Sequence, residues 1–126
     1  MKQRIVIVER RTDAAEALWE DALSHGFTPD VVFDFDMATR KMMEARLPDA
    51  ILLSSTKDER INRSFLKTLR SAARTRNLPV FVIVSGGESA RAAAMKAGAT
   101  HCMEAPFQSA ELFSCIKAVV RRSTLR

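Results

Sequence analysis

Tyrosine is absent from the 126 residues, tryptophan occurs once and cysteine twice. Two cysteines, Cys102 and Cys115, cannot build a disulfide framework or a four-ligand zinc site. Both are expected as reduced thiols, and neither a metal nor a cofactor is expected. The shortage of aromatic rings leaves few platforms on which unpaired bases stack. No helix-turn-helix or zinc-finger pattern makes up for it, so nucleic acid is not the expected partner. No apolar run approaches the ~18 residues of a membrane span. The chain opens on Met1-Lys-Gln-Arg and a strand-like run, with no signal-peptide pattern, and a cytoplasmic location is expected.

What is present is an ordinary globular composition, 47% apolar and 28% charged, enough to bury one core without staples. Residues 1–122 read as one domain, with 123–126 as a tail or the start of a linker. Five short apolar runs alternate with five amphipathic patterns. Residues 4–8 form a nearly unbroken Ile-Val run, as a parallel strand buried on both faces requires. Residues 13–24 read as a helix with Ala15, Leu18, Trp19 and Ala22 on its inner stripe. Thr12 or Asp13 caps it and Gly26 stops it. A second strand is expected at 28–33 and a second helix at 37–46, with Asp36 as N-cap. Pro48 imposes an extended approach to a third strand at 50–53. Helix 58–74, strand 80–84, helix 88–97, strand 100–103 and helix 109–122 complete the chain, the last with Leu112, Ile116 and Val119 inward.

Strict alternation of strand and helix implies a parallel sheet covered on both faces. Right-handed crossovers then give an α/β, (βα)5 flavodoxin-like three-layer sandwich with five strands in the order 2-1-3-4-5. Ligand chemistry in that order belongs at the carboxyl ends of the first and third strands. Here those ends are Glu9-Arg10 and Ser54-Ser55.

Net charge is +5, and its location matters more than its size. Residues 57–76 hold seven bases and two acids, so this segment carries the whole surplus. Arg60, Arg63, Lys67, Arg70 and Arg74 recur at spacings of three and four, one stripe of a helix. Ile61, Phe65, Leu69 and Ala72 lie opposite. Such a stripe is either a solvated face or a footprint for nucleic acid, an acidic protein or an anionic membrane surface.

Separated motifs carry a resemblance over nearly the whole chain. Pro48-Asp49 precedes the apolar run to Leu53, and Ala97-Gly-Ala99 is followed at fixed spacing by Pro106-Phe107. In this pattern the sequence resembles the CheY-like receiver domains of bacterial response regulators. The resemblance implies a role in two-component signal transduction. It also implies a site: an acidic pair holding magnesium, an acceptor aspartate, a Thr or Ser ending the fourth strand, a lysine before the proline, and a cis bond at Ala105-Pro106.

The reactive positions depart from that pattern. The acidic pair is Glu9 and Arg10, and a fixed positive charge there repels a metal that wants carboxylate oxygens. The acceptor position is Ser54, a poor nucleophile without an adjacent base. The lysine position is Ala105, the aromatic switch position is Cys102, and Ser85 is matched to the hydroxyl position. Glu9 and Arg10 are candidates to pair within the pocket. The expectation is a pseudo-receiver, not an enzyme, that acts by binding without aspartyl phosphorylation or magnesium. Phosphorylation at an unconventional residue, and polyanion, nucleic-acid or acidic-partner binding through the basic third helix, are the alternatives. The resemblance places the partner or homodimer face on the fourth helix, fifth strand and fifth helix. Here that face carries Arg91, Met95, His101, Cys102, Glu111 and Lys117, and the partner is another signalling protein or an effector domain.

Overall fold

The alternating pattern yields ten elements in the computed structural model, which describes residues 2–54 and 59–124, with backbone alone at 59–62 and 124. They are β1 (Gln3–Val8), α1 (Thr12–Ser24), β2 (Phe27–Val32), α2 (Phe35–Met42), β3 (Ala50–Leu53), α3 (Glu59–Ser71), β4 (Val80–Val84), α4 (Gly87–Ala97), β5 (His101–Glu104) and α5 (Ser109–Thr124). The five strands are parallel, in the order β2-β1-β3-β4-β5. This is the expected CheY-like, flavodoxin-like sandwich.

Successive strand residues point to opposite faces, so the apolar runs feed two separate cores. Val6, Val8, Ile51, Leu53, Val80 and Val82 face α2, α3 and α4 and meet Ala38, Leu66, Leu69, Ala90 and Ala94. Ile5, Ile7, Leu52, Phe81 and Ile83 face α1 and α5 and meet Leu18, Ala22, Phe113 and Ile116. The alanine-rich inner faces of α1 and α4 bring those helices close to the sheet.

Several local expectations need correction. Arg11, not Thr12 or Asp13, is the N-cap residue of α1, and its side chain makes no capping bond. Trp19 is 42% exposed rather than inward, because the buried positions of α1 are Ala15, Leu18 and Ala22. Helix α2 starts earlier and ends earlier than expected. Asp34, not Asp36, caps it by accepting a hydrogen bond from the Met37 amide at 2.8 Å. Phe35 then packs against Phe65 across to α3, with ring centroids 4.8 Å apart. On α5 the buried positions are Leu112, Phe113, Ile116 and Val120, with Val119 half-buried. Phe113 is fully buried and stacks on His25 at the end of α1, at 5.5 Å. The Ala105-Pro106 peptide is cis, as the resemblance implied.

Helix α3 ends at Ser71 rather than at 74, and Arg70 organises the chain beyond that point. Its guanidinium donates to the carbonyls of Gly98 (2.8 Å), Thr75 (3.3 Å), Arg76 (2.9 Å) and Leu78 (2.7 Å), and to Thr100 Oγ1 (3.3 Å). One side chain thus satisfies the carbonyls of the α3–β4 connection and ties it to the turn between α4 and β5. Gly98 is required for this contact. Its φ is +120°, and a Cβ would stand 2.8 Å from Arg70 Cγ. The partly dry setting lowers the Arg70 pKa through desolvation.

Replacing Arg70 by Ala strands these carbonyls. Charged hydrogen bonds contribute about 1.5–3 kcal/mol each when well buried; because this guanidinium is only half-buried and water can reach part of the site, the expected loss for the whole cluster is about 2 kcal/mol. Urea denaturation monitored by far-UV circular dichroism measures it, and an unchanged midpoint refutes the clamp.

Candidate functional site

Backbone register brings the carboxyl ends of β1 and β3 together. Val8 lies opposite Leu53, and the Ser54 amide donates to the Val8 carbonyl at 3.0 Å. Glu9 follows Val8 and is held on its other side, its amide donating to the Val32 carbonyl at 3.0 Å. Glu9 and Ser54 are both buried, and these two strand-end positions lie on neighbouring strands.

Glu9 is wholly inaccessible to solvent, and a buried carboxylate needs a compensating charge or donors. Arg11 supplies both. Its Nε donates to Glu9 Oε1 at 2.9 Å and its backbone amide donates to the same oxygen at 3.3 Å. The hydrogen bond, then the charge, of Glu9 raises the Arg11 pKa. Arg10, the other candidate partner of Glu9, is exposed. The signal was present in the sequence. Residues two apart along an extended segment share a side, and Arg11 is extended at φ −83° and ψ 122°. Glu9 Oε2 has no hydrogen-bond partner among the described residues.

This donor set does not fit magnesium, the ion that the receiver resemblance implies. Magnesium takes oxygen ligands in near-octahedral geometry. Here one carboxylate oxygen already accepts two hydrogen bonds from a cationic residue, and the neighbouring strand end offers a serine. Among the described residues no three His, Cys, Asp or Glu side chains come together as a metal group. Asp49, the nearest acid in sequence before β3, sits at the opposite end of the sheet, where its Oδ2 accepts the Arg4 amide at 2.8 Å. Asp58 lies outside the described residues.

The far side of the pocket is equally altered. Strand β4 ends on Val84, whose side chain is in the core. Ser85 is the next residue and is exposed, so its hydroxyl stands one position beyond the strand's last residue. The Ala105 amide donates to the Val84 carbonyl at 2.8 Å, which places Ala105 at the rim with no side-chain charge. Glu104 lies beside it. A Cβ on Gly87 would stand 3.9 Å from Glu104 Oε1, so an acid rests near the positive end of the α4 dipole. Glu104 also lines a cleft of about 460 Å³ with Met103, Pro106, Phe107, Gln108 and Glu111.

Of the predicted partner face, α4 contributes Arg91 and Met95, the edge strand β5 contributes His101, and α5 contributes Glu111 and Lys117. Met95 is 44% exposed, Glu111 and Lys117 are exposed, and Arg91 and His101 are half-buried. Cys102 does not belong to this surface. It is 2% exposed, its Sγ lies 3.8 Å from the Arg91 carbonyl, and desolvation raises its pKa.

The basic stripe is not one face of free charges. Lys67 is exposed and Arg63 half-buried, whereas Arg70 is the backbone clamp of the α3–β4 connection. Arg74 lies past the helix and donates to the Glu44 carbonyl at the end of α2. The Arg60 side chain lies outside the described residues.

No protein-family model matches the chain. The phosphate regulon transcriptional regulatory protein PhoB of Klebsiella pneumoniae is 33% identical over 123 residues, spanning 97% of this chain and 53% of that protein. The chain therefore spans about half the length of the curated relatives it matches. A putative response regulator from Chloroflexus aurantiacus superimposes with a TM-score of 0.86 at 22% identity, covering 96% of this chain and 99% of that one. The receiver domain of the sensor histidine kinase PA1611 from Pseudomonas aeruginosa, solved with magnesium in its active-site cleft, gives 0.81 at 22% identity, covering 95% and 98%.

Two variants test the ion pair. Arg11→Ala leaves the Glu9 carboxylate buried without its cation and lowers the thermal midpoint. Adding Glu9→Gln removes the stranded charge and recovers most of the loss. A double variant no more stable than Arg11→Ala shows that the pair does not hold this end of the sheet. A separate check concerns Cys102. With a raised pKa and almost no solvent access, its thiol reacts with Ellman's reagent at mildly alkaline pH only as fast as the protein opens, measured in a Cys115→Ser background because Cys115 is a second free thiol and only half-buried; fast labelling of that folded variant contradicts the burial of Cys102.

Proposed function

The chain is a CheY-like receiver domain of the response-regulator family, and we propose that within two-component signalling it works as a pseudo-receiver, by binding rather than by phosphotransfer. The observation that carries this reading is the Glu9–Arg11 pair beside Ser54. A guanidinium engages Glu9, the carboxylate that directly follows β1, and the β3 end presents the Ser54 hydroxyl instead of a carboxylate. A serine hydroxyl cannot form the mixed anhydride that an aspartate forms with phosphate, and it is a poor nucleophile unless an adjacent base activates it. Val84 at the end of β4, Ala105 at the lysine position and Glu104 next to it add no group that favours a phosphoryl dianion. On this reading the domain has no catalytic turnover of its own and acts in the cytoplasm. Among the described residues no helix is long and apolar enough to cross a membrane.

The binding face on this reading is the β5 edge with its flanking helices, through Arg91, Met95, His101, Glu111 and Lys117. Its partner is a signalling protein, an effector domain or a second copy. An apolar side chain ending in a base fits the neighbouring cleft, which pairs Met103 and Phe107 with the carboxylates of Glu104 and Glu111.

Incubation with acetyl phosphate and magnesium is expected to leave no hydroxylamine-labile phosphate, and beryllofluoride with magnesium is expected to leave the amide NMR spectrum around Glu9 and Ser54 unchanged. Either signal in the native sequence overturns the proposal. The combined variant Arg10→Asp, Arg11→Ala, Ser54→Asp, Ala105→Lys frees Glu9, rebuilds the missing charges and is expected to gain magnesium-dependent shifts.

A further inference from the structure

We propose that the amino end of the sheet beneath α2, α3 and α4 is a docking surface for the phosphate backbone of duplex nucleic acid. In a parallel sheet every helix runs back against the strands, so the helix ends and the connections into the next strand gather at one pole. Cations near helix C-termini are favoured there by the helix dipole. Three helices on the same face carry them: Arg40 in the last turn of α2, Arg70 in the last turn of α3 and Lys96 in the last turn of α4. The connections add Arg46, Arg74 and Arg76.

These cations divide into two groups. Arg4, Arg70 and Arg74 build the floor. Arg4 donates to the Arg46 carbonyl at 3.0 Å and to Asp30 at 3.4 Å. Arg70 binds the Arg76 carbonyl, and Arg74 joins the end of α2 through the Glu44 carbonyl. Arg40, Arg46, Arg76 and Lys96 are exposed, and none has a carboxylate partner among the described residues. Two of them, Arg46 and Arg76, stand on backbone that the floor arginines grip, so their positions are prepared in advance. The nearby acids are already engaged: Asp30 and Glu44 with Lys41, Asp49 with the Arg4 amide.

Two features favour nucleic acid over an acidic protein. Helices packed side by side lie about 8–10 Å apart, so three helix ends spread the charge over roughly 20 Å, and duplex DNA presents one phosphate per ~1.7 Å of its axis along such a distance. Protein interfaces centre on desolvated apolar and aromatic side chains, and among the described residues this pole exposes two large apolar residues, Met43 and Met95, at separate helix ends and no exposed aromatic ring. The same lack of aromatics that argued against single-stranded binding leaves backbone contact with a duplex open, because that contact needs no stacking.

Fluorescence anisotropy of a short duplex of arbitrary sequence, measured across a range of potassium chloride, tests the surface. Binding is expected to weaken linearly on a log–log plot. The pair Arg46→Glu, Arg76→Glu is expected to reduce the slope by about 1.8, at about 0.9 per lost phosphate contact. The milder pair Arg46→Gln, Arg76→Gln loses the same contacts with less disturbance of the fold. The pair Arg10→Glu, Lys117→Glu changes net charge equally elsewhere and is expected to keep the slope. No binding at low salt, equal weakening by both reversal pairs, or poly-glutamate competing as well as DNA at matched charge each overturns the proposal, the last in favour of an acidic protein.

Discussion

A parallel sheet covered by helices on both faces leaves its polar groups two places to go. Ile5, Ile7, Leu52 and Leu53 are wholly buried, and a charge anywhere along those strands would need desolvation that nothing there repays. Charge is therefore confined to the strand ends. The carboxyl end gathers Glu9, Asp34, Glu88 and Glu104, answered by Arg10 and Arg11. The amino end under α2, α3 and α4 gathers arginines and lysines whose nearby acids are mostly spent. The polarity of this domain follows from its topology together with a few residue choices at the loops.

Glu9 is the point at which that constraint bears hardest. A carboxylate with no solvent access must be matched by something, and in a magnesium-holding pocket the ion does so. Here the match is Arg11, two residues along the same extended segment. The exchange has a physical consequence. An ion can leave and return, and its coordination can include a bound phosphoryl oxygen. A guanidinium on the same backbone is permanent and offers no open coordination position. Arg11 also stays 67% exposed, so the pair lies across the boundary between pocket and solvent and costs less desolvation than a fully buried one.

The fold was largely legible because its signals are redundant. The Ile-Val run of β1, the Pro48-Asp49 approach to β3 and the Ala97-Gly-Ala99 end of α4 each specify one element, and their order leaves one sheet topology. What escaped was decided by single contacts between elements. Arg70 has the same helical spacing as its neighbours on the stripe, yet it is drawn inward by carbonyls that the α3–β4 connection and Gly98 present, and no one-dimensional pattern records that. Trp19 fits an inward stripe by composition, but the buried line of α1 runs through Ala15, Leu18 and Ala22, and Trp19 stands one position round the helix from it. Arg10 and Arg11 are adjacent and chemically alike, and only the extended geometry past β1 assigns the partner of Glu9. Ser85 resembles a strand-ending hydroxyl until the register shows that Val84 is the residue opposite Glu104.

Arginine shows most clearly how one residue type is divided among tasks. Arg11 neutralises an acid, Arg70 and Arg74 bind backbone carbonyls, and Arg46 and Arg76 remain free at the surface. A net charge of +5 is thus not a surface property. Part of it is structural, and the free remainder is more localised than the helical stripe in the sequence suggests. The same division bears on how, on the proposed reading, a receiver fold does without its reaction. The two cores hold the apolar residues of every strand, whereas the phosphorylation pocket occupies only the ends of β1, β3, β4 and β5. Replacing an acceptor, an acid and a lysine there removes chemistry but little buried apolar area, and a local ion pair repairs the one charge left buried. On the pseudo-receiver reading proposed above, the scaffold then serves through its outer surfaces.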